Sequence, residues 1–226
     1  MPAQKVFISR SISAESELVK LLSPHGFEVE GRSLVTFKAI HFDLPEAFDW
    51  VFFYSKQGVD FFFKALEKAN IMLPKHLRFG AIGAGTAQVL ESKVPQVHFI
   101  GDGSPETTAQ AFAKIAHGQR VLFPRAVTSR RSVQQLCGAA IIALDLVVYE
   151  NTPLEEAPPS DAGFLVFTSP LNAQAYLHQH PLLPTQQLIA IGDTTAQAIA
   201  HLTDAPVFTA SAPSEQAIAA LVLQLA

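Results

Sequence analysis

Short runs of consecutive apolar residues punctuate the chain: "VFIS" from Val6, "WVFFYS" from Trp50, "FGAI" from Phe79 and "VHFI" from Val97. A strand with one wet face alternates apolar and polar side chains, so unbroken runs predict strands covered on both faces, as in a parallel sheet. Stretches of helical period lie between the runs. That alternation predicts an α/β chain built from βαβ units.

The pattern is written twice. "KVFISRSISAESELVKLL" from Lys5 matches "RVLFPRAVTSRRSVQQL" from Arg120, which sets Arg10 over Arg125. "VFFYSKQGVDFFFKAL" from Val51 matches "LVFTSPLNAQAYL" from Leu165, with Ser55 over Ser169. "GAIGAGTAQVL" from Gly80 matches "IAIGDTTAQAI" from Ile189, with Thr86 over Thr195, and "GSPETTAQAFAKI" near Ser104 matches "SAPSEQAIAALV" near Ser211. Phrases recurring in one order predict two homologous halves. The expected fold is two flavodoxin-like α/β domains, each a parallel β-sheet flanked by helices. The pattern allows two divisions: a boundary near "AHGQR", between Ala116 and Arg120, or an exchange in which each half's first strand-helix unit packs with the other half's remainder.

In such sheets ligands bind outside the C-terminal ends of the strands, where the repeated Ser, Thr, Gly and Arg residues fall. A Ser, Thr or Gly between strand and helix presents backbone N–H groups at the positive end of the helix dipole and binds carboxylate or phosphate without a cationic partner. Plain helix capping explains any one such turn. Several together, with Arg10, Lys56 and Arg125 beside them, suit a ligand carrying several anionic groups. "GAGTAQ" from Gly83, with Asp102 downstream, imitates a dinucleotide fingerprint but lacks its third glycine, and the sister turn "GDTTAQ" loses the second as well. The repeated feature is the threonine at the helix start, which argues against a nucleotide.

Composition narrows the function classes. The 226 residues are 49% hydrophobic and 16% charged, enough for one large or two small packed domains. A formal charge of −4 with no Lys/Arg run argues against nucleic acid. No apolar stretch reaches the length of a membrane span, and "MPAQKVFISR" opens without an apolar signal region, so a cytoplasmic address is expected. Cys137, the one cysteine, reads as a small core residue in a reducing compartment. His178 and His180 in "LHQHP" have no carboxylate or thiol partners at metal-ligand spacing, and no G-x-S-x-G elbow surrounds any serine. No metal, reactive thiol or serine triad is expected.

Taken together, "DWVFFYSKQGV", "AIGAGTAQVL", "VLFPRA", "VVYENTP", "LVFTSP" and "IAIGDTTAQAI" resemble uroporphyrinogen-III synthase, in that family's order and over almost the whole chain. Asp193 stands where family members often carry proline, and the asparagine often found near Gln57 is missing. The resemblance implies a cofactor-free enzyme of tetrapyrrole synthesis, its domains joined by a two-stranded linker with an active-site cleft between them; a monomer is expected because the pattern leaves no apolar face obviously unused. One domain would comprise residues 1–36 plus 152–226 and the other residues 37–151, with crossings near Thr36 and Thr152.

The implied substrate is hydroxymethylbilane, a linear polycarboxylate, closed with loss of water and inversion of ring D. An upstream hydroxymethylbilane synthase is the implied transient partner. Tyr149 matches the family's cleft-facing tyrosine and is carried over as the proton donor for the leaving hydroxyl. Thr86, Thr194 and Thr195 are carried over as helix-start groups, Ser55, Thr168 and Ser169 as carboxylate-binding turns, and Arg10, Lys56 and Arg125 as charge partners. Tyr54 and Tyr176 keep structural readings. The rival is a hinged two-domain binding protein for a small polyanion.

Overall fold

The computed structural model describes residues 4–226; residues 1–3, with which the opening "MPAQKVFISR" begins, lie outside the described residues. The chain forms two compact units, one made of the described residues up to Thr36 together with Thr152–Ala226, the other of Phe37–Asn151.

In the first unit, β1 (Gln4–Ile8), α1 (Glu17–Leu22) and β2 (Phe27–Gly31) form one βαβ hairpin, and β9 (Phe164–Phe167), α6 (Pro170–Leu177), β10 (Gln187–Ala190), α7 (Asp193–Ala200), β11 (Val207–Thr209) and α8 (Glu215–Leu225) follow from the far end of the chain. The sheet order is β11-β10-β9-β1-β2, and every neighbouring pair is parallel. Alternate residues serve opposite faces: Val6, Ile8, Phe164 and Val166 pack with Leu18, Leu22, Ile218 and Val222, while Phe7, Leu165 and Phe167 pack with Tyr176 and Ile199. Two covered faces explain why "FLVF" is apolar at every position; each large side chain so buried contributes about 1.5–3 kcal/mol.

The second unit contains β3 (Val35–Ala39), β4 (Trp50–Phe53), α2 (Lys56–Ala69), β5 (Arg78–Ala81), α3 (Ala84–Glu91), β6 (Phe99–Ile100), α4 (Pro105–Ile115), β7 (Arg120–Ala126), α5 (Ser132–Cys137) and β8 (Ile142–Pro153). Its order, β3-β8-β7-β4-β5-β6, repeats the first sheet with β7 and β8 in the places of β1 and β2 and β4 in that of β9. Val51 and Phe53 face one core and Trp50 and Phe52 the other. Cys137 is buried in the second core. The chain passes between the units on neighbouring strands β3 and β8, whose residues around the crossings are more exposed than those of the inner strands.

Within the fourth repeated phrase, Ser104 and Ser214 occupy the N-cap positions of α4 and α8, and Ser214 alone accepts a first-turn N–H, that of Ala217.

Asn172 holds the first unit together locally: its Oδ1 accepts from the buried Leu34 N–H at 2.7 Å, and its Nδ2 donates to Ser169 Oγ at 2.9 Å. Asn172→Ala leaves the Leu34 N–H without a partner, and a stability loss of about 1–3 kcal/mol is expected in urea denaturation.

Candidate active site

Each unit presents two adjacent strand-to-helix turns at the C-terminal ends of neighbouring parallel strands. In the second unit they are the turns β4–α2 and β5–α3, tied by Ile82 N–H donating to Phe53 O at 3.0 Å; in the first they are β9–α6 and β10–α7, tied by Ile191 N–H donating to Phe167 O at 3.0 Å. The copies agree in how these helices begin. Ser55 and Ser169 cap α2 and α6, accepting from the Gly58 and Asn172 N–H groups at 3.0 and 3.3 Å. Gly83 and Gly192 precede α3 and α7 and supply no capping side chain, which leaves first-turn N–H groups for a ligand. Thr86 and Thr195 occupy the third position of those two helices and are buried. Thr194, one residue earlier, is exposed.

The positive end of α3 carries a further feature. A Cβ built on Gly85 would lie 3.4 Å from Lys56 Cε and 3.9 Å from Nζ, so the lysine chain runs over the first turn of α3. An ammonium beside a helix N-terminus is unfavourable until an anion joins them.

Tyr149 lies on β8, whose pairing with β7 slips between Arg125, opposite Val147, and Ala126, opposite Tyr149. The slip inserts Val148 as an extra residue, and consecutive Val148 and Tyr149 enter the same core, where regular alternation would send them to opposite faces of the sheet. The phenol lies 3.2 Å from Ser55 Oγ, and its ring stacks on Phe61 with centroids 5.1 Å apart. Burial pushes the phenol above its ordinary pKa, and the bond to Ser55 pulls partly the other way.

The other tyrosines are engaged with backbone. Tyr54 accepts from Gln134 N–H at 3.1 Å and is pushed strongly upward by burial; Tyr176 accepts from Ser160 N–H at 3.1 Å and donates to Ser160 O at 3.3 Å. Tyr149 differs in meeting a side-chain hydroxyl at a helix start.

Four of the remaining candidates are bound to the protein itself. Arg10 pairs with Glu215, whose second oxygen accepts from Leu18 N–H at 2.8 Å. Arg125 grips Asp145 at 2.8 and 3.2 Å and donates to the carbonyls of Ala126 and Val127, so it braces the β7–α5 loop. Arg125, Gln134 and Arg131 together outweigh burial and hold the Asp145 carboxyl below its ordinary pKa. Thr168 N–H and hydroxyl bond to Ser9 Oγ and Ser9 O at 2.8 and 3.1 Å, sewing the end of β9 to β1. Ser169 receives both Asn172 nitrogens.

Sequence reasoning missed Ser9, Phe61, Arg131 and the Val148 bulge. Ser9 and Thr168 stand 159 residues apart, and no local signal joins them.

Asp102, the residue a dinucleotide would need on its ribose, accepts from Ser104 N–H, Thr107 Oγ1 and Thr108 Oγ1 at the start of α4. A groove of about 980 Å³ lined by Phe63, Leu66, Leu73, Leu77, Phe79 and Val94 adjoins the starts of β5 and β6, the opposite end of the sheet from the turns. Among the described residues, no helix is long and apolar enough to cross a membrane, and no group of three or more His, Cys, Asp or Glu is placed to hold a metal ion.

A family model described as uroporphyrinogen-III synthase HemD matches residues 16–220. The chain belongs to the uroporphyrinogen-III synthase family. The family is one of cyclising lyase-type enzymes, and the function lies in haem biosynthesis. The fold agrees with solved structures: uroporphyrinogen-III synthetase from Helicobacter pylori superposes with a TM-score of 0.74 at 23% identity, covering 99% of this chain and 100% of that one. A mutant uroporphyrinogen III synthase from Thermus thermophilus gives a TM-score of 0.57 at 14% identity, covering 99% of each chain. Against this family, the turns described above are the C-terminal strand-end rims of a two-domain uroporphyrinogen-III synthase fold.

The raised phenols make stability depend on alkali. Unfolded tyrosines lose their protons near 10, whereas folded Tyr149 and Tyr54 hold theirs, so above that pH the folded state binds more protons and stability falls as pH rises. The urea midpoint is expected to drop between about pH 9 and about pH 11, and Tyr149→Phe is expected to lessen the drop; an equal drop in that variant would contradict the assignment.

Proposed function

We propose that this chain closes hydroxymethylbilane to uroporphyrinogen III with loss of water and inversion of ring D, and that Tyr149 protonates the departing hydroxyl. The observation that carries the reading is the phenol of Tyr149, buried and aimed at the start of α2, 3.2 Å from Ser55 Oγ.

Hydroxide is a poor leaving group, and proton donation by a placed acid contributes typically a factor of about 10² to 10⁴. A phenol held above its ordinary pKa remains protonated across the neutral range and donates without tuning. As the C–O bond breaks, the oxygen takes the phenolic proton and leaves as water. The cation left on the terminal pyrrole is attacked by the substituted carbon of the far pyrrole, the resulting spiro centre rearranges to the inverted ring, and the closed macrocycle gives up one proton, which restores the phenolate to phenol. Closure without inversion occurs in water, so the protein must also hold one near-attack pose, worth several kcal/mol and up to about 11 in the best oriented cases.

The open N–H groups at the start of α3 in one unit, and those at the start of α7 in the other, are each suited to a carboxylate, with Lys56 adding charge at the first and Thr86 and Thr195 adding hydroxyls. Arg10, Arg125, Thr168 and Ser169 are each occupied by a protein partner and brace the loops and strand ends around them. Binding is thus spread over many backbone donors.

The experiment is turnover of hydroxymethylbilane with identification of the macrocyclic isomer. Wild type is expected to give the inverted isomer and Tyr149→Phe to lower kcat about 10²- to 10⁴-fold. Thr195→Ala and Ser169→Ala are each expected to cost less than about tenfold, the worth of one neutral hydrogen bond. Production of the spontaneous isomer alone would leave only a binding protein, and abolition of turnover by either of the last two changes, in folded protein, would contradict distributed binding.

A further inference from the structure

The two capping serines occupy equivalent places, yet they do different things, and the difference traces to the residue three positions on. In the first unit that residue is Asn172, whose side-chain amide donates to Ser169 Oγ at 2.9 Å and whose carbonyl takes Leu34 N–H. In the second unit it is Gly58. A Cβ there would already lie 3.3 Å from Ser55 Oγ and 3.2 Å from Pro124 O, so the backbone fits closely and position 58 offers the serine no side chain. Ser55 Oγ accepts the Gly58 N–H at 3.0 Å and has its remaining bond with Tyr149.

We infer that Ser55 is a positioning residue for Tyr149: its hydroxyl, already accepting from the helix, donates its proton to the phenolic oxygen and leaves the phenol's own proton directed away, free for the substrate. The inference deepens the reading in which Tyr149 is the acid. It also departs from treating Ser55 as a contact for substrate carboxylate.

Three features support the direction of the bond. A hydroxyl that accepts a helix N–H has its oxygen turned toward that donor and offers its hydrogen elsewhere. Donation stabilises the phenolate that forms as the proton leaves, in keeping with the downward pull of Ser55 on the phenol. The Val148 bulge and the stacked Phe61 fix the ring, so the phenol cannot swing to find another partner without losing that stack.

Ser55→Gly is the informative variant, because glycine serves at an N-cap almost as well as serine and already stands in that place before α3 and α7. It is expected to lower kcat about tenfold with KM unchanged, and Ser55→Thr, which keeps both cap and hydroxyl, to restore most of the loss. In a Tyr149→Phe background, Ser55→Gly is expected to have almost no further effect, since the bond is already gone. A rise in KM with kcat intact, or an undiminished loss in the Tyr149→Phe background, would overturn the inference.

A second readout is independent of turnover. In protein labelled with ¹³C at the tyrosine ζ carbon, the Tyr149 resonance, identified by its absence from Tyr149→Phe, is expected to titrate at higher pH in Ser55→Gly than in wild type; an unmoved midpoint overturns the inference. Should Tyr149→Phe turn over at the wild-type rate, the acid role falls and with it the positioning role, whatever the resonance does. A crippled Tyr149→Phe beside an unmoved midpoint removes Ser55 alone and leaves the acid in place.

Discussion

The first sheet depends on seating β1 between β2 and β9. The βαβ hairpin that contains β1 has only β2 as its own neighbour, and the apolar edge so left open is closed by a strand more than 150 residues away, with Val6, Phe7 and Ile8 opposite Phe164, Leu165 and Val166. A strand buried on both faces, as β1 is, has no water to bond and needs a partner strand along each edge to satisfy its backbone groups. The second sheet solves the same problem with β7 between β8 and β4. Each hairpin therefore brings the C-terminal end of its first strand beside a strand that ends in a capped helix. Ser9 clasping Thr168 is a direct product of that seating.

Duplication supplied two such frames, and divergence then altered individual atoms within them. The glycine-started helices α3 and α7 remained alike down to the bonds from Thr86 N–H to Gly83 O and from Thr195 N–H to Gly192 O, at 3.1 and 3.0 Å. The serine-capped pair did not. Asn172 turns one serine inward to secure the Leu34 backbone, while Gly58 leaves the other facing a phenol. A single side chain thus separates a turn that stabilises from a turn that, on the proposed reading, assists chemistry.

The elements were legible in the sequence because they rest on local pattern. Fully apolar runs marked the buried strands, and the repeated Ser55/Ser169 and Thr86/Thr195 phrases marked helix starts that the structure places side by side in each sheet. What local pattern cannot carry is the identity of a polar group's partner. Arg10 reads as a free cation until Glu215, 205 residues on, is seen against it, and Arg125 until Asp145 arrives on the neighbouring strand. Tyr149 reads as one more tyrosine on an apolar run, since the bulge that aims it exists only in the pairing of β8 with β7. The division of the chain was open for the same reason: β1 matches either set of partners in composition, and only the register of the sheet distinguishes them.

A polycarboxylate substrate constrains which acid can serve. A carboxylic acid beside several carboxylates would hold its proton only through like-charge repulsion, and when ionised it would oppose the ligand that the open helix starts attract. A histidine would titrate within the working range and would form an ion pair with the nearest carboxylate. A phenol is neutral throughout that range, and each anionic group placed near it raises its pKa further, so binding the substrate keeps the donor in its donating form. Such an acid is weak, and the phenolate left after transfer needs compensation close at hand. Ser55, at the positive end of α2 and in hydrogen-bond reach of the phenol, is the group placed to give it.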